Sequence, residues 1–301
     1  MSHFSMNHEM IPALNRRQML KYSVTGLSAL AVTGNLGSLG NNCTTQPVTI
    51  SAAETKHVYK IGAWTGNFDW AQKLSLDAVQ ISFSLRPSGN GDLRNPEVRK
   101  RLKAKSEETG VAITSLAMGE FNGNPFWEID DAVEQVSSCI DAMKDLGVKQ
   151  VLISYFGKGH INTDEKYDIT IKRYRELAPK AEDAGVALAI EAPLNAEAHL
   201  RIIEGVNSPA IKVYYDPGNM IHLFRDTDKI CDDIRKLRGQ IVEAHCKDRT
   251  VLGKGPIDYA KILQTYREIG FFGTQVIEGS IDRELGYDES IRQGVAYMRS
   301  I

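Results

Sequence analysis

The chain has 301 residues, of which 42% are hydrophobic and 25% are charged. This is ordinary globular composition, long enough to bury a sizeable core, and it excludes a disordered or fibrous chain. Lys+Arg number 36 against 38 Asp+Glu, a formal net charge of -2 with no long run of either sign, so the basic footprint of a nucleic-acid binder is missing.

The N-terminal segment reads as an address rather than as fold. Paired arginines, Arg16 and Arg17, in "NRRQMLKYSVTGLSALAVTG" precede a mildly apolar stretch rich in Gly, Ser, Thr and Ala. From Tyr22 to Leu39 this stretch is too polar for a stable membrane span, which needs roughly 20 predominantly apolar residues. With Met19, Leu20 and Lys21 it fits a twin-arginine signal peptide; Asn15 and Met19 are its departures from the usual form. Small residues Ser51 and Ala53 set a cut before Glu54. Residues 1–53 are therefore expected to be signal and linker for the twin-arginine export machinery, and 54–301 a mature, periplasmic or otherwise extracytoplasmic domain. The alternatives are a disordered tail and a lipid anchor at Cys43, although "GNNC" lacks the small residue wanted before the cysteine. The other cysteines, Cys139, Cys231 and Cys246, are odd in number and widely spaced, which argues against a disulfide framework or a zinc knuckle.

From Tyr59 onward, short apolar runs alternate with longer amphipathic ones. The strand candidates are "YKIGAWT", "DAVQISF", "VAITSLAMG", "VKQVLISY", "VALAIEA", "IKVYYDP", "IVEAHCKD" and "TQVIEGS". Between them lie helical patterns such as "NPEVRKRLKAKSEETG" and "YDITIKRYRELAPKAEDAG". Gly110, Gly147, Gly185 and Gly270 stand where those helices should stop. Eight alternations call for a parallel sheet, and eight units in about 250 residues match a closed (β/α)8 TIM barrel in one domain. An open doubly wound sheet is the competitor, but no G-x-G-x-x-G follows the first strand.

Four successive strands end in side chains able to hold a metal: Glu191 in "AIEAP", Asp216 in "YYDPGN", His245 in "EAHCKD" and Glu278 in "VIEGS". They lie 25, 29 and 33 residues apart, each close to one repeat of about 30 residues in a barrel of this size. Strand carboxyl ends converge on one face, where barrel active sites sit. Taken singly, each acid has a plain reading as a helix N-cap or turn residue; the set of four carries the signal. Parity adds that if His245 points inward, Cys246 points into the helix layer, and Glu243 shares the inward face as a partner for the site.

On these residues, and on "AHCKDR" and "LGKGPIDYAKILQTYREIGFFGTQVIEGS", the chain from Tyr59 to Ile301 resembles the sugar phosphate isomerase/epimerase superfamily of xylose-isomerase-like barrels. The resemblance implies that Glu191, Asp216, His245 and Glu278 bind one divalent metal, and that Glu191 and Glu278 act as acid and base on opposite faces of a sugar. Gln80 stands where many relatives carry Glu, and Asn219 where the sugar epimerases often carry His; both departures bear on substrate identity.

Three carboxylates and an imidazole suit manganese first, with zinc, cobalt or magnesium as alternatives. Such an ion would stabilise an enediolate formed by loss of a proton alpha to a carbonyl, with the glutamates moving the protons. Further substrate-binding candidates are Lys247 and Arg249 after the ligand histidine, Asn219, His160 after the fourth strand, and Trp64 and Trp127 as sugar-stacking rings. The expected activity is metal-dependent isomerisation or epimerisation of a sugar or keto-sugar. A keto-sugar lyase or dehydratase using the same site, and a non-catalytic periplasmic sugar-binding protein, are the alternatives. The endonuclease branch of the superfamily needs three metals and a basic groove, which a slightly acidic chain with one ligand set does not offer.

Overall fold

The computed structural model describes residues 59–87 and 91–301; the expected signal peptide, its cut before Glu54 and the anchor alternative at Cys43 lie outside the described residues. Eight strands, β1 (Ile61–Trp64), β2 (Ala78–Ser82), β3 (Ala112–Met118), β4 (Gln150–Ser154), β5 (Ala187–Glu191), β6 (Ile211–Tyr215), β7 (Ile241–Cys246) and β8 (Gln275–Ile277), close in sequence order into a parallel barrel. Closure is made by β1 on β8, with Gly62 opposite Val276. The expected (β/α)8 fold is the observed one.

Helices α1 (Phe68–Lys73), α2 (Pro96–Thr109), α3 (Ala132–Leu146), α4 (Asp164–Ala184) and α5 (Ala196–Val206) each follow one strand. Beyond β6 the one-strand, one-helix expectation fails. The connection splits into α6 (Pro217–Phe224) and α7 (Thr227–Lys236), separated by Arg225, which stops α6 in the left-handed region at φ 55. The last helices are α8 (Tyr259–Glu268) and α9 (Tyr287–Ser300). Among the described residues no helix is long and apolar enough to cross a membrane.

The strands read as nearly continuous apolar runs because both of their faces are covered. One cluster, Ala117, Leu152, Ala189 and Tyr214 with Trp64 and Val242, takes one residue from each of six strands and fills the barrel interior. The alternate residues, among them Val151, Ile153, Leu188, Ile190 and Cys246, join the larger apolar layer under the helices. Cys246 thus packs outward as its parity requires, and Cys139, Cys231 and Cys246 are all buried free thiols. The small inward residues leave room at the carboxyl ends of the strands for the polar groups described next.

Two register shifts bear on that end of the barrel. Between β2 and β3, Val79 pairs with Ile113 but Gln80 with Ser115. Between β6 and β7, Val213 pairs with Ile241 but Tyr214 with Glu243. An extra residue in one strand re-aims its neighbours, and here the two shifts bring Gln80, Ser115, Tyr214 and Glu243 to the barrel interior.

Candidate metal centre

The turn after β6 explains its own sequence. Asp216 is the N-cap of α6, with Oδ1 accepting from the N–H of Gly218 at 2.7 Å and of Asn219 at 3.2 Å, and Pro217 sits in the first turn, where its missing N–H costs nothing. A Cβ on Gly218 would lie 2.3 Å from Lys247 Cγ and 3.0 Å from Asp216 Oδ1, so only glycine lets the β7–α8 segment close over the carboxylate. Asp216 Oδ2 makes no directed hydrogen bond and is buried. The plain reading and the functional one hold together: one oxygen caps the helix and the other is left for a cation.

That second oxygen faces a cluster. Glu191 ends β5, Asp216 follows β6, His245 lies near the end of β7 and Glu278 follows β8. One candidate ligand atom from each falls within 4.8 Å of all the others. His245 Nδ1 is 3.0 Å from Glu191 Oε1 and 3.4 Å from Glu278 Oε2. The Lys247 ammonium lies 2.9 Å from Asp216 Oδ2 and 2.8 Å from Glu278 Oε2. An acceptor-only carboxylate oxygen, buried and met by the Lys247 charge rather than by a directed hydrogen bond, beside three further hard or borderline donors, fits a small divalent ion.

The electrostatics follow from burial and mutual charge. Burial raises the Glu191 carboxyl, and the neighbouring His245 only partly offsets this. For Glu278 burial also works upward, but the charges of His245 and Lys247 outweigh it and leave the group below the usual carboxylate range. His245 is pulled down by burial and up by Glu191 and the other acids, with the acids prevailing. Lys247 is likewise held charged by Asp216 and Glu278 against its burial.

His245 is fixed from three sides. Trp64 stacks on it, with centroids 5.8 Å apart and planes 20° apart, and its Nε1–H donates to Ser82 at 2.9 Å. Tyr214 meets it edge-on at 4.6 Å. Its Nε2 lies 2.9 Å from Gln80 Oε1, while the Gln80 amide nitrogen donates to Ser115 Oγ at 2.9 Å and to the Tyr214 hydroxyl at 3.0 Å. Gln80, Ser115 and Tyr214 were not anticipated in these roles. The signal available was Gln80 itself, a lone polar residue inside an apolar strand. Glu243, expected as the partner of the site, instead bonds Thr114 deeper in the barrel; burial raises its carboxyl to about 7. The register shift beside Tyr214 turns it toward β3, and Gln80 occupies the place it was given.

Of the substrate-binding candidates, Asn219 reaches the cluster, its Nδ2 donating to Glu191 Oε1 at 3.3 Å. Lys247 and Trp64 touch it as described. Arg249 is exposed at its edge, beside a cavity shared with Gly218 and Lys247. His160 and Trp127 form a separate grouping. Trp127 donates to Gly159 O at 3.0 Å, and Lys166 lies 4.3 Å from its ring centre and 3.4 Å from His160 O. Nothing among the described contacts ties that group to the four ligand-type side chains.

The model of the xylose isomerase-like TIM barrel family matches residues 68–301. Among curated proteins, the chain is 25% identical over 167 residues to 2-epi-5-epi-valiolone 7-phosphate 2-epimerase of an Actinoplanes species, covering 55% of this chain and 61% of that one. It is 27% identical over 130 residues to D-psicose 3-epimerase of Enterocloster bolteae, covering 39% and 42%. The chain thus spans under two thirds of the length of either relative. Among solved structures, a xylose isomerase domain protein from Planctomyces limnophilus superposes with a TM-score of 0.67 at 19% identity, covering 81% of this chain and 97% of that one, a likeness that speaks to the fold alone. With the match running through all but the first strand of the barrel, the chain is a member of the xylose isomerase-like TIM barrel family.

Proposed function

We propose that the protein is a divalent-metal-dependent isomerase or epimerase of a sugar or keto-sugar. The observation that carries this reading is the convergence of Glu191, Asp216, His245 and Glu278, from four successive strands, to within 4.8 Å. These four would hold the ion, manganese by preference, with zinc, cobalt or magnesium also suited to the donor set. When bound, the ion supplies positive charge that makes a C–H next to a carbonyl acidic enough to lose its proton.

The chain's own groups do the rest. Glu191 and Glu278 reach the cluster from strands on either side of His245, so one carboxylate can take the proton and the other return one, each transfer worth about 10²–10⁴-fold. Asn219 orients Glu191 through its 3.3 Å hydrogen bond. Lys247 holds Glu278 ionised and offers a cation to substrate oxygens. Trp64 and Tyr214 wall the histidine with apolar surface and keep water from its ring. The similarity to two epimerases supports the reaction class. The twin-arginine pattern at Arg16 and Arg17 would put the reaction outside the cytoplasm, where free sugars and glycosides are met more often than sugar phosphates; cell fractionation tests that placement.

The test of the activity is proton NMR of a free ketose in deuterated buffer with manganese and enzyme. Uptake of deuterium alpha to the carbonyl without loss of the sugar is expected. Release of an alcohol instead would assign elimination to the same site. A Glu278→Gln variant should lose turnover; unchanged turnover would remove Glu278 from the proton transfer, and a natural protein that binds sugar but exchanges no proton would contradict the enzyme reading.

A further inference from the structure

Beside the metal centre lies a cavity of about 170 Å³, bordered by Gly218, whose N–H donates to Asp216, and by Lys247, which pairs with Asp216 and Glu278. It shares Ile221, His222, Arg249 and Pro256 with a second, larger cavity of about 390 Å³ that reaches Arg225, Asp226 and Thr227. The larger one lies within the roughly 300–1,000 Å³ of ordinary ligand sites. The framework for this arm is α6, which starts at Asp216 and, at 1.5 Å per residue, carries the chain about 12 Å outward to Phe224. The break between α6 and α7, at Arg225, Asp226 and Thr227, borders the larger cavity.

The lining specifies a ligand type. The Arg225 and Arg249 guanidiniums are both exposed, and neither is in an ion pair with a described residue, although the Arg249 charge acts on the adjacent Asp248. The same cavity is lined by Asp226, whose Oδ1 caps α7 by accepting from the Asp228 N–H at 2.8 Å. His222 and the Thr227 hydroxyl can each donate and accept, and Ile221 and Pro256 give apolar surface. Paired donors and acceptors beside an apolar wall match a polyhydroxylated ring, whose hydroxyls do both and whose C–H face packs on hydrocarbon. A phosphate or carboxylate accepts only, and would have to share the cavity with the Asp226 carboxylate.

We propose that this cavity is a second subsite of the same active site, holding a neutral sugar unit joined to the reacting keto-sugar, so that the preferred substrate is a keto-sugar glycoside of at least two units. This rests on the keto-sugar reading of the metal centre. Arg225 and His222 hydrogen-bond the distal unit, and the Asp226 carboxylate accepts hydrogen bonds from its hydroxyls. The left-handed backbone at Arg225 ends α6 and presents its side chain to the cavity.

The experiment is calorimetric binding to the full manganese-loaded protein. The probes are fructose, fructose 6-phosphate and four glucosyl-fructoses of different linkage: maltulose, isomaltulose, turanose and leucrose. Alpha-proton exchange is followed by NMR in parallel. At least one two-unit sugar is expected to bind ten-fold or more tightly than fructose. Arg225→Ala should cut that ratio at least five-fold, and His222→Ala serves as a second variant if the first does not fold. Fructose binding as tightly as every two-unit sugar would overturn the proposal, and so would fructose 6-phosphate binding better than all of them. A two-unit preference with no proton exchange would uphold the subsite while removing the catalytic reading; exchange on fructose with no preference would do the reverse.

Discussion

His245 Nε2 lies 2.9 Å from the carbonyl oxygen of Gln80, on the side of the ring away from Glu191 and Glu278. Because the Gln80 amide nitrogen is engaged by Ser115 and Tyr214, its oxygen must face the histidine. The Nε2 position therefore keeps a proton whether or not the ring is charged, and Nδ1, which faces Glu191 and Glu278, is the nitrogen that can give up its proton to bind a cation. Partners of this kind set the tautomer of a ligand histidine and typically change metal affinity 10–100-fold when lost. Gln80→Leu should weaken manganese binding by that amount. Gln80→Glu, which can still accept from Nε2 while Ser115 and Tyr214 turn their hydroxyls to donate, should bind manganese at least as well as the natural protein. Titration calorimetry of the two variants reads the difference, and equal weakening in both would point to packing rather than to the hydrogen bond.

Lys247 stands between Asp216 and Glu278, 2.9 and 2.8 Å from their oxygens. In the metal-free protein it is the fixed cation that offsets the clustered acids, and removing one partner of a largely buried pair is costly. Lys247→Met should lower metal-free stability by about 1–3 kcal/mol and raise the melting temperature gained on adding manganese, because the ion then replaces a missing charge. A thermal-shift series with and without manganese measures both quantities. A manganese-dependent gain smaller than in the natural protein would sink this reading.

His199, on the buried face of α5, supplies a pH test away from the centre. Its Nδ1 lies 3.1 Å from Asn195 O, and Nε2 is buried with no hydrogen-bond partner. Burial drives its pKa from 6.5 down to about 4, against a smaller upward pull from the Asn195 and Leu194 carbonyls. The unfolded chain therefore binds the proton more readily than the folded one between those values. Stability from this site is fully present above pH 6.5 and falls as pH drops toward 4. By pH 4.5 the loss amounts to about 2–3 kcal/mol. Urea unfolding at pH 7 and pH 4.5 should show a difference that shrinks by about that much in His199→Gln; an unchanged difference would mean the histidine is not the group responsible.

Much of the molecule was legible because it rests on local periodicity. Strand-ending Glu191, Asp216, His245 and Glu278 recur at the barrel repeat, and parity placed Cys246 outward and His245 inward. What stayed hidden depends on contacts across the barrel. The register shifts beside Gln80 and Tyr214 decide that Gln80, not Glu243, meets His245, and an extra residue in a strand leaves no local mark in an apolar run. The division of α6 from α7 turns on Arg225 adopting a left-handed backbone, for which Gly or Asn would have been the readable signal. His160 and Trp127 sit on the loops that a barrel uses for catalysis, yet Lys166 and Gly159 gather them into a group of their own. Gly218 looked like turn chemistry, and its reason, the approach of Lys247, lies 29 residues along the chain.

The most direct measurement is divalent-metal content after exhaustive dialysis of protein loaded with manganese, compared with Asp216→Asn and His245→Ala. One equivalent per chain is expected in the natural protein, with less than about a tenth of that in either variant, since each removes one of four donors from a single ion. Natural protein that retains no divalent metal, or variants that retain as much as it does, would contradict a shared cation held by Glu191, Asp216, His245 and Glu278.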